Sequence, residues 1–520
     1  MSRHSASRRT FLGCSLALAV GGALRLPPAR AAANVRFAGD PFTLGVASGY
    51  PLPDSVVLWT RLALNPLEPG GGMTAAVIPV QWEIATDDRM RTVVQSGTEF
   101  ATAEWAHSVH VEPTGLPAGR DYWYRFTAGG VRSPIGRTRT APASDATVDR
   151  LKIAVANCQQ YEQGYFNAYR HMVADELDLI LHVGDYIYEV SWGKDLVRHH
   201  GSPTTFTLDD YRTRHALYKT DPDLQAAHAA CPWLLTWDDH EVANDYAGDI
   251  SEYDDDPELF QARRAAAYRA YYEHMPLPRQ AVPFGPNMRL YTARATGNLA
   301  SIFMLDQRQY RSPEACPLPG RRGGHKVENC PELNDPSRQM LGSRQELWLQ
   351  GIVGQSRAKW NLFAEGTVMS YADEDTGPGK AFWTDDWNGY PAARDRFIQL
   401  LAERKVANPI VLSGDIHAYV VGALHLEAGN PDSPVVAAEF TSTSITSQSQ
   451  SEDLFRTIKA GNPNLLLATG AHRGYVRLDL THERAQADLV VMDNVKTRVS
   501  TSRTLASFVV EPGKAGPVPA

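Results

Sequence analysis

Residues 177–188 read LDLILHVGDYIY and decide the fold. This aliphatic run is short and stops at Asp185 and Tyr188, which is typical of a buried strand whose carboxyl end opens into a site. In open α/β sheets, ligands collect at the carboxyl ends of the strands. The segment therefore predicts a strand that carries a carboxylate and a phenol to such an edge.

Two distant segments share this pattern. Residues 151–158 read LKIAVANC and end at Cys158, while residues 409–417 read PIVLSGDIH and end at Asp415 and His417. Residues two apart in an extended segment point to the same face, so Asp415 and His417 can reach one site. A thiolate, carboxylates, a phenolate and an imidazole at neighbouring strand ends predict a metal site and, with it, a metal-dependent hydrolase.

The N-terminus differs in character from the rest of the chain of 520 residues. It holds an arginine pair at positions 8 and 9, a weakly apolar stretch over residues 14–24 and a small-residue cleavage candidate at 29–31. The apolar stretch is too short to span a bilayer. Residues 1–33 are therefore predicted to be a twin-arginine signal peptide, with the twin-arginine export machinery as a partner and a secreted or periplasmic location.

Charge restricts the possible partners. Removal of residues 1–33 takes away five arginines and no acids, which moves the formal net charge from -8 to about -13. Such an acidic surface disfavours nucleic-acid binding. Beyond the N-terminus, no segment of the sequence approaches transmembrane length, so no stable membrane anchor is expected.

Two domains follow the signal peptide. Residues 34–142 alternate as short strands, and Tyr122 resembles the tyrosine corner of a sandwich, so a fibronectin-type-III-like β-sandwich is predicted. Residues 150–500 alternate apolar strands with amphipathic helices, which predicts a layered α/β catalytic domain. Residues 501–520 are interpreted as a Pro- and Gly-rich tail.

The four cysteines that remain after processing have different predicted roles. Cys158 is a candidate ligand, and Cys231 precedes an apolar strand as an inert core thiol. Cys316 and Cys330 flank a loop rich in Gly, Arg and Pro, where a disulfide and two free thiols are both possible.

A second cluster, WDDHEVAND at residues 237–245, follows another apolar strand. A carboxylate or the amide of this cluster could bind a second, oxygen-preferring cation such as calcium. His240 is placed to protonate a leaving alkoxide. A solvated acidic face is the alternative, but a core strand directly before the cluster disfavours it.

Residues 305–311, LDQRQYR, end a further strand. The planar guanidinium of Arg308 could fit phosphate oxygens. A pair between Arg308 and Asp306 inside the fold is an equal alternative.

The expected ligands indicate which metals are bound. A carboxylate such as Asp185 can bridge two cations about 3.5–4 Å apart, as in two-metal phosphoryl-transfer sites. A phenolate from Tyr188 favours ferric iron, and a thiolate with an imidazole fits iron better than magnesium. A buried, hydrogen-bonded tyrosine is the other interpretation of Tyr188.

Taken in order, the motifs NCQ (157–159), GDYIYE (184–189), WDDHEV (237–242), LDQRQYR (305–311) and GDIH (414–417) resemble the PhoD family of secreted alkaline phosphatases and phosphodiesterases. That family is similar to purple acid phosphatases in its metallophosphoesterase core. The resemblance implies an α/β fold, with a four-layer αββα sandwich preceded by the β-sandwich domain.

The resemblance also implies cofactors and ligands. Iron (Fe3+) would be held by Cys158, Asp185, Tyr188 and His417. Calcium (Ca2+) would be held by Asp185, Asn244, Asp415 and, as a further candidate, Asp239. Whether Asp239 or Asn244 fills the place of the asparagine in the related Gly-Asn-His motif is open.

The predicted function is metal-dependent hydrolysis of phosphate monoesters, and of diesters, by a metal-activated hydroxide or oxide that attacks phosphorus in line. Asp185, His240 and Arg308 are the predicted catalytic residues. A phosphodiesterase or phospholipase D-type hydrolase is the close alternative. A secreted metal- or phosphate-binding protein without activity is the alternative from another class, and His240, as an acid beside the metals, disfavours it.

Overall fold

The computed structural model describes residues 35–375, 377 and 379–520. The predicted signal peptide, residues 1–33, lies outside the described residues. Among the described helices, none combines the length and the apolar character needed to cross a membrane.

The described residues form 24 β-strands and seven α-helices. The strands of residues 35–142 are β1 (Val46–Leu52), β2 (Ser55–Arg61), β3 (Ile78–Ala85), β4 (Val93–Ala101), β5 (Ser108–Val111), β6 (Asp121–Ala128), β7 (Val131–Arg132) and β8 (Gly136–Arg139). The later strands are β9 (Arg150–Ala156), β10 (Leu179–His182), β11 (Trp233–Leu235), β12 (Thr292–Thr296), β13 (Ala300–Met304), β14 (Lys326–Glu328), β15 (Trp360–Ala364), β16 (Ala381–Trp383), β17 (Pro409–Ser413), β18 (Tyr419–His425), β19 (Val435–Thr441), β20 (Leu465–Thr469), β21 (Arg473–Thr481), β22 (Ala485–Met492), β23 (Ser502–Val510) and β24 (Val518–Pro519). The helices are α1 (Ala168–Ala174), α2 (Leu208–Lys219), α3 (Pro222–Ala230), α4 (Pro257–His274), α5 (Gly342–Val353), α6 (Pro391–Glu403) and α7 (Glu452–Gly461).

Two large mixed sheets form the core of the predicted α/β catalytic domain. Within the described residues, one sheet has the order β24-β23-β22-β21-β9-β10-β11-β1-β2-β5 and the other β12-β13-β15-β17-β19-β18-β20. The strands that carry the predicted site are parallel to one another within each sheet: β9, β10 and β11 in the first sheet, and β13, β15, β17 and β19 in the second.

The sheets pack face to face, because apolar side chains of both belong to one buried cluster. Ile153 and Leu181 of the first sheet join Leu362 and Ile410 of the second in this cluster. Helices α5 and α6 pack on the outer face of the second sheet, where Phe397 meets Phe363 at 5.3 Å between ring centroids. With helices α1 and α3 against the first sheet, the arrangement is the predicted four-layer αββα sandwich.

The N-terminal β-sandwich shares a sheet with the catalytic core. Strands β1, β2 and β5 extend the ten-stranded sheet through a parallel pairing of Gly49 with Trp233. They face a five-stranded sheet of β3, β4, β6, β7 and β8 across a separate apolar core. Tyr122 donates a hydrogen bond to the carbonyl oxygen of Pro117 at 3.4 Å, as a tyrosine corner does.

The interpretation of residues 501–520 as a tail is wrong for its first half. Strand β23 pairs antiparallel with β22 over its whole length and extends the ten-stranded sheet. Phe508 and Val510 are buried in the main apolar cluster, so this stretch is held by its own apolar side chains. The Pro and Gly residues that suggested a tail begin only at position 512.

The two possibilities left open for Cys316 and Cys330 are resolved. They form a disulfide with a Cα–Cα distance of 6.2 Å. Cys231 is a free, buried thiol, as predicted.

Candidate metal centre and active site

The predicted ligands come together at one edge of the two sheets. Cys158 and Asp185 follow β9 and β10 of the first sheet, and His417 follows β17 of the second. A sulfur, a carboxylate oxygen and an imidazole nitrogen of these three residues lie within 4.8 Å of one another. The carboxyl ends of parallel strands from both sheets therefore build a single site.

The backbone at this edge adopts an unusual conformation. The φ angles are 52° at Cys158, 56° at Asp185, 68° at Asp415 and 55° at His417. Residues other than glycine rarely adopt this left-handed backbone conformation, which costs on the order of 1–3 kcal/mol per residue. Because four predicted ligands share it, the surrounding packing holds the ligand turns in place against local strain.

The phenol of Tyr188 lies at the centre of the group. Its hydroxyl donates to Asp185 Oδ2 at 2.7 Å and lies 3.0 Å from His417 Nε2. The hydroxyl of Ser447, which the sequence did not single out, donates to it at 2.8 Å. Burial, with Asp185 nearby, raises the pKa of Tyr188 well above its ordinary value. Tyr188 is therefore not an isolated core tyrosine, because its oxygen contacts two other predicted ligands.

Cys158 is fully enclosed beside the acidic groups. Burial raises the pKa of its thiol well above the usual value, and the carboxylates of Asp185 and Asp415 raise it further. A bound cation has the opposite effect, because metals bind the thiolate form. Soft sulfur, hard oxygens and an imidazole within a few ångströms form a donor set that fits iron.

The 237–245 segment places Asp239 beside this group. Oxygens of Asp185 and Asp239 and a ring nitrogen of His240 lie within 4.8 Å of one another. The two oxygens of Asp239 also accept backbone N–H groups, from His240 at 2.8 Å and from Asp245 at 2.7 Å. Asp239 is thus oriented toward Asp185 by its own loop.

Glu241 has a structural role in the same motif. Its carboxylate accepts the backbone N–H of Asp238 at 2.9 Å and that of Tyr186. These two bonds tie the loop after β11 to the loop after β10. Close packing there also requires Gly184, since a Cβ at that position would lie 2.4 Å from Cβ of Asp238.

His240 is paired with Glu189. The Nδ1 atom of His240 lies 2.6 Å from Glu189 Oε2. Burial alone lowers the pKa of His240, but the carboxylates of Glu189, Asp239 and Asp185 raise it well above the ordinary histidine value. Glu189 is the last residue of the GDYIYE motif, and the sequence analysis assigns it no role. Its position directly after Tyr188 is the feature of the sequence that could have indicated a role in the site.

Asn244 also lines the site but faces a different neighbour. Its side-chain amide donates to Glu252 Oε2 at 3.0 Å, and its backbone N–H donates to Glu189 Oε1 at 2.8 Å. A second acidic group lies next to it, where carboxylate oxygens of Asp239, Asp245 and Asp385 approach within 4.8 Å. The sequence did not indicate Asp385.

The predicted phosphate contact of Arg308 is wrong. Its side chain is 0% exposed, its two terminal nitrogens donate to Asp385 at 2.8 Å each, and its Nε donates to Asp238. Asp239 lies 3.8 Å from the same guanidinium. The alternative pairing fails too, because Asp306 accepts the backbone N–H of Arg308 and not its guanidinium. All three side-chain nitrogens therefore donate to carboxylates of Asp238 and Asp385.

A cavity of about 1,070 Å³ opens in front of these groups. The predicted site residues that line it are Asp185, Asp239, His240, Asn244, Asp415 and His417. Its walls also include Glu189, Asp245 and Asp385. An acidic pocket of this kind suits cations and, once they are bound, anionic esters.

Comparisons with known proteins agree with this arrangement. The family of PhoD-like phosphatases matches residues 153–489, and the N-terminal domain of PhoD-like phosphatases matches residues 28–142. Alkaline phosphatase D of Bacillus subtilis (strain 168) is 44% identical over 516 residues, covering 97% of this chain and 86% of that protein. A solved structure of PhoD superposes with a TM-score of 0.89 at 44% identity, covering 94% of this chain and 93% of that one.

Proposed function

The chain belongs to the PhoD-like phosphatase family, and from this premise we propose that it is an exported alkaline phosphatase that uses iron and calcium. Hydrolysis of phosphoesters follows from the family. The identity of the metals, the roles of the residues and the export route are the proposed parts. The observation that carries the proposed metals and residue roles is the close approach of Cys158, Asp185, Tyr188 and His417 at one sheet edge.

The proposed iron ligands are these same four residues. For calcium we propose Asp185, Asp239 and Asp415, and Asn244 is the alternative to Asp239. Asp239 is preferred because its carboxylate approaches Asp185, whereas the amide of Asn244 donates to Glu252. When bound, the two cations lower the pKa of a water molecule and neutralise charge on the phosphate oxygens.

His240 supplies the proton for the leaving alkoxide. Because Glu189 occupies Nδ1, the Nε2–H of the protonated ring is left to donate to a substrate oxygen. The carboxylate of Glu189 fixes the orientation of the ring and stabilises its positive charge. His240 lines the cavity, so this donor is accessible to substrate.

Arg308 acts as a positioning residue in this proposal. Its guanidinium holds the carboxylates of Asp238 and Asp385 and so supports the loop that presents Asp239. Its three side-chain nitrogens then donate to Asp238 and Asp385, and no direct contact of this arginine with the substrate phosphate is proposed.

The second candidate function is phosphodiesterase or phospholipase D-type hydrolysis. It is favoured by the cavity volume of about 1,070 Å³, which leaves room for a second ester group. The same catalytic residues serve both reactions.

Metal analysis combined with two substrates tests the proposal. Protein purified without added metal is assayed for iron and calcium, and then with p-nitrophenyl phosphate and bis(p-nitrophenyl) phosphate. Iron and calcium with faster monoester cleavage support the phosphatase, and faster diester cleavage moves the assignment to the second candidate. Zinc alone, or full activity in Asp185→Ala, contradicts the proposed site.

Export by the twin-arginine route is proposed from the arginine pair at positions 8 and 9. Replacing both arginines by lysine keeps the charge and should leave the precursor in the cytoplasm. Unchanged export of that variant contradicts the route without affecting the enzymatic proposal.

A further inference from the structure

The cavity in front of the proposed metal centre has two chemically different halves. One half is acidic and contains the proposed ligands. The other half is apolar and is called the apolar wall here; it consists of Ile416, Val420, Leu454, Phe455, Ile458 and Leu465. A phosphate group needs only the first half, so the second requires another explanation.

The apolar wall begins directly at the proposed ligands. Ile416 lies between Asp415 and His417 in the chain and packs against a buried cluster that includes Val420 and Ile458. A substrate phosphate beside the cations therefore has apolar side chains within one residue of its binding groups. The wall is continuous with the active site and is not a separate groove.

Regular structure holds the wall in place. Helix α7 begins at the cap Ser451, whose side chain accepts the backbone N–H of Leu454 at 3.3 Å. Positions 454, 455 and 458 lie on one face of the helix, which turns toward the cavity. Arg456 lies on the opposite face, 71% exposed, and pairs with Asp453 at 2.9 Å. Strand β20 completes the wall by pairing with β18.

We propose that the apolar wall binds the hydrocarbon part of the ester group, so that the enzyme selects phosphate esters of apolar alcohols over esters of polyhydroxylated ones. The proposal rests on the proposed function and deepens it by naming the substrate class of the same site. The apolar wall is continuous with the proposed metal centre, and the group next to a bound phosphate is the organic group esterified to it. We therefore expect this organic group to contact the wall. The P–O bond that breaks and the proton from His240 are the same for every such substrate.

A homologous series of substrates tests the proposal. Values of kcat/KM are measured for ethyl, butyl and hexyl phosphate, whose leaving alcohols have similar acidity, and for glycerol phosphate as the polar control. Burial of each added methylene is expected to raise kcat/KM about fourfold until the wall is covered. The variant Ile458→Ser should flatten the series while it keeps activity on glycerol phosphate, which also shows that it is folded.

The matched control is Arg456→Ser on the outer face of the same helix, which should keep the full series. The inference is overturned if kcat/KM does not rise from ethyl to hexyl phosphate in the unaltered enzyme, or if Ile458→Ser leaves that rise unchanged. In either case, turnover of glycerol phosphate would still support the proposed function. No turnover of any ester overturns both. Hydrolysis of phosphatidate in vesicles, without a rise of kcat/KM along the soluble alkyl phosphates, also overturns the inference. The acyl chains of the lipid would then lie in the bilayer and not against the apolar wall.

Discussion

His240 Nδ1 and Glu189 Oε2 lie 2.6 Å apart in a buried pair beside the proposed metal ligands. An imidazole that faces a carboxylate keeps its proton to higher pH than a free histidine, and its other nitrogen is then available as an acid. In the proposed function this pair is the part of the chain that protonates the leaving group.

The variant His240→Gln is expected to lower kcat by about 10²–10⁴-fold for alkyl phosphates. The loss should be much smaller for p-nitrophenyl phosphate, because its leaving group departs without a proton. The measurement is kcat across a series of leaving groups of increasing basicity. An equal loss of kcat for every leaving group would contradict the role of His240 as the acid for the leaving group.

The variant Glu189→Gln tests the pair from the other side. Glu189 raises the pKa of His240, so its neutralisation should lower that pKa. The acid form of His240 is then lost at a lower pH, and the alkaline limb of the kcat profile should shift toward lower pH. An unmoved alkaline limb contradicts the assignment of His240 as the acid.

Tyr188→Phe is expected to remove the visible absorption of the iron-loaded protein. If Tyr188 is a phenolate ligand of ferric iron as proposed, charge transfer between the two would give such a band. The phenol oxygen of Tyr188 lies 2.7 Å from Asp185 and 3.0 Å from His417, which are two other proposed iron ligands. The matched control is Tyr186→Phe, since the hydroxyl of Tyr186 contacts His228 in the core instead. A band that survives in Tyr188→Phe contradicts phenolate ligation.

Much of the fold, and the close approach of Cys158, Asp185, Tyr188 and His417 at one sheet edge, could be predicted from local sequence. The aliphatic runs that end at Asp185 and Asp415 are the parallel strands β10 and β17, because burial on both faces leaves little choice of residue type. Arg308 could not be assigned in this way. Its partner Asp385 lies 77 residues away in a loop without regular structure, and no local pattern links the two. Strand β23 was missed because the Pro and Gly residues after it dominated the composition.

Asp239→Asn is expected to raise the calcium concentration needed for half-maximal activity by at least about tenfold. Loss of the charge weakens the oxygen that approaches Asp185, and the amide keeps only one oxygen to accept a backbone N–H where the carboxylate accepts two. Asn244→Ala should have the smaller effect. Calcium titration of the metal-depleted variants measures both, and the reverse order would assign the ligand position to Asn244.

Acid should destabilise the protein partly through His182. Burial lowers the pKa of this imidazole to about 3, with Lys219 adding to the effect, and neither ring nitrogen has a hydrogen-bond partner among the described residues. The unfolded chain takes up the proton near the ordinary value of 6.5, whereas the folded chain does not until about 3. The neutral ring of His182 therefore makes its full contribution to the free energy of unfolding above about pH 6.5. This contribution is lost as the pH falls toward 3, by up to about 1.4 kcal/mol per pH unit.

The variant His182→Phe isolates this contribution. It keeps an aromatic ring against Trp233, whose ring centroid lies 6.2 Å away, and removes the titrating group. The free energy of unfolding, measured by denaturant titration from pH 7 to pH 4, should fall less steeply in this variant than in the unaltered protein. The exposed His199 supplies the control, since His199→Asn should leave the slope unchanged. If the free energy of unfolding falls equally with pH in His182→Phe and in the unaltered protein, His182 takes up its proton in the folded protein as it does in the unfolded chain. That result would contradict the expectation that burial keeps the ring neutral.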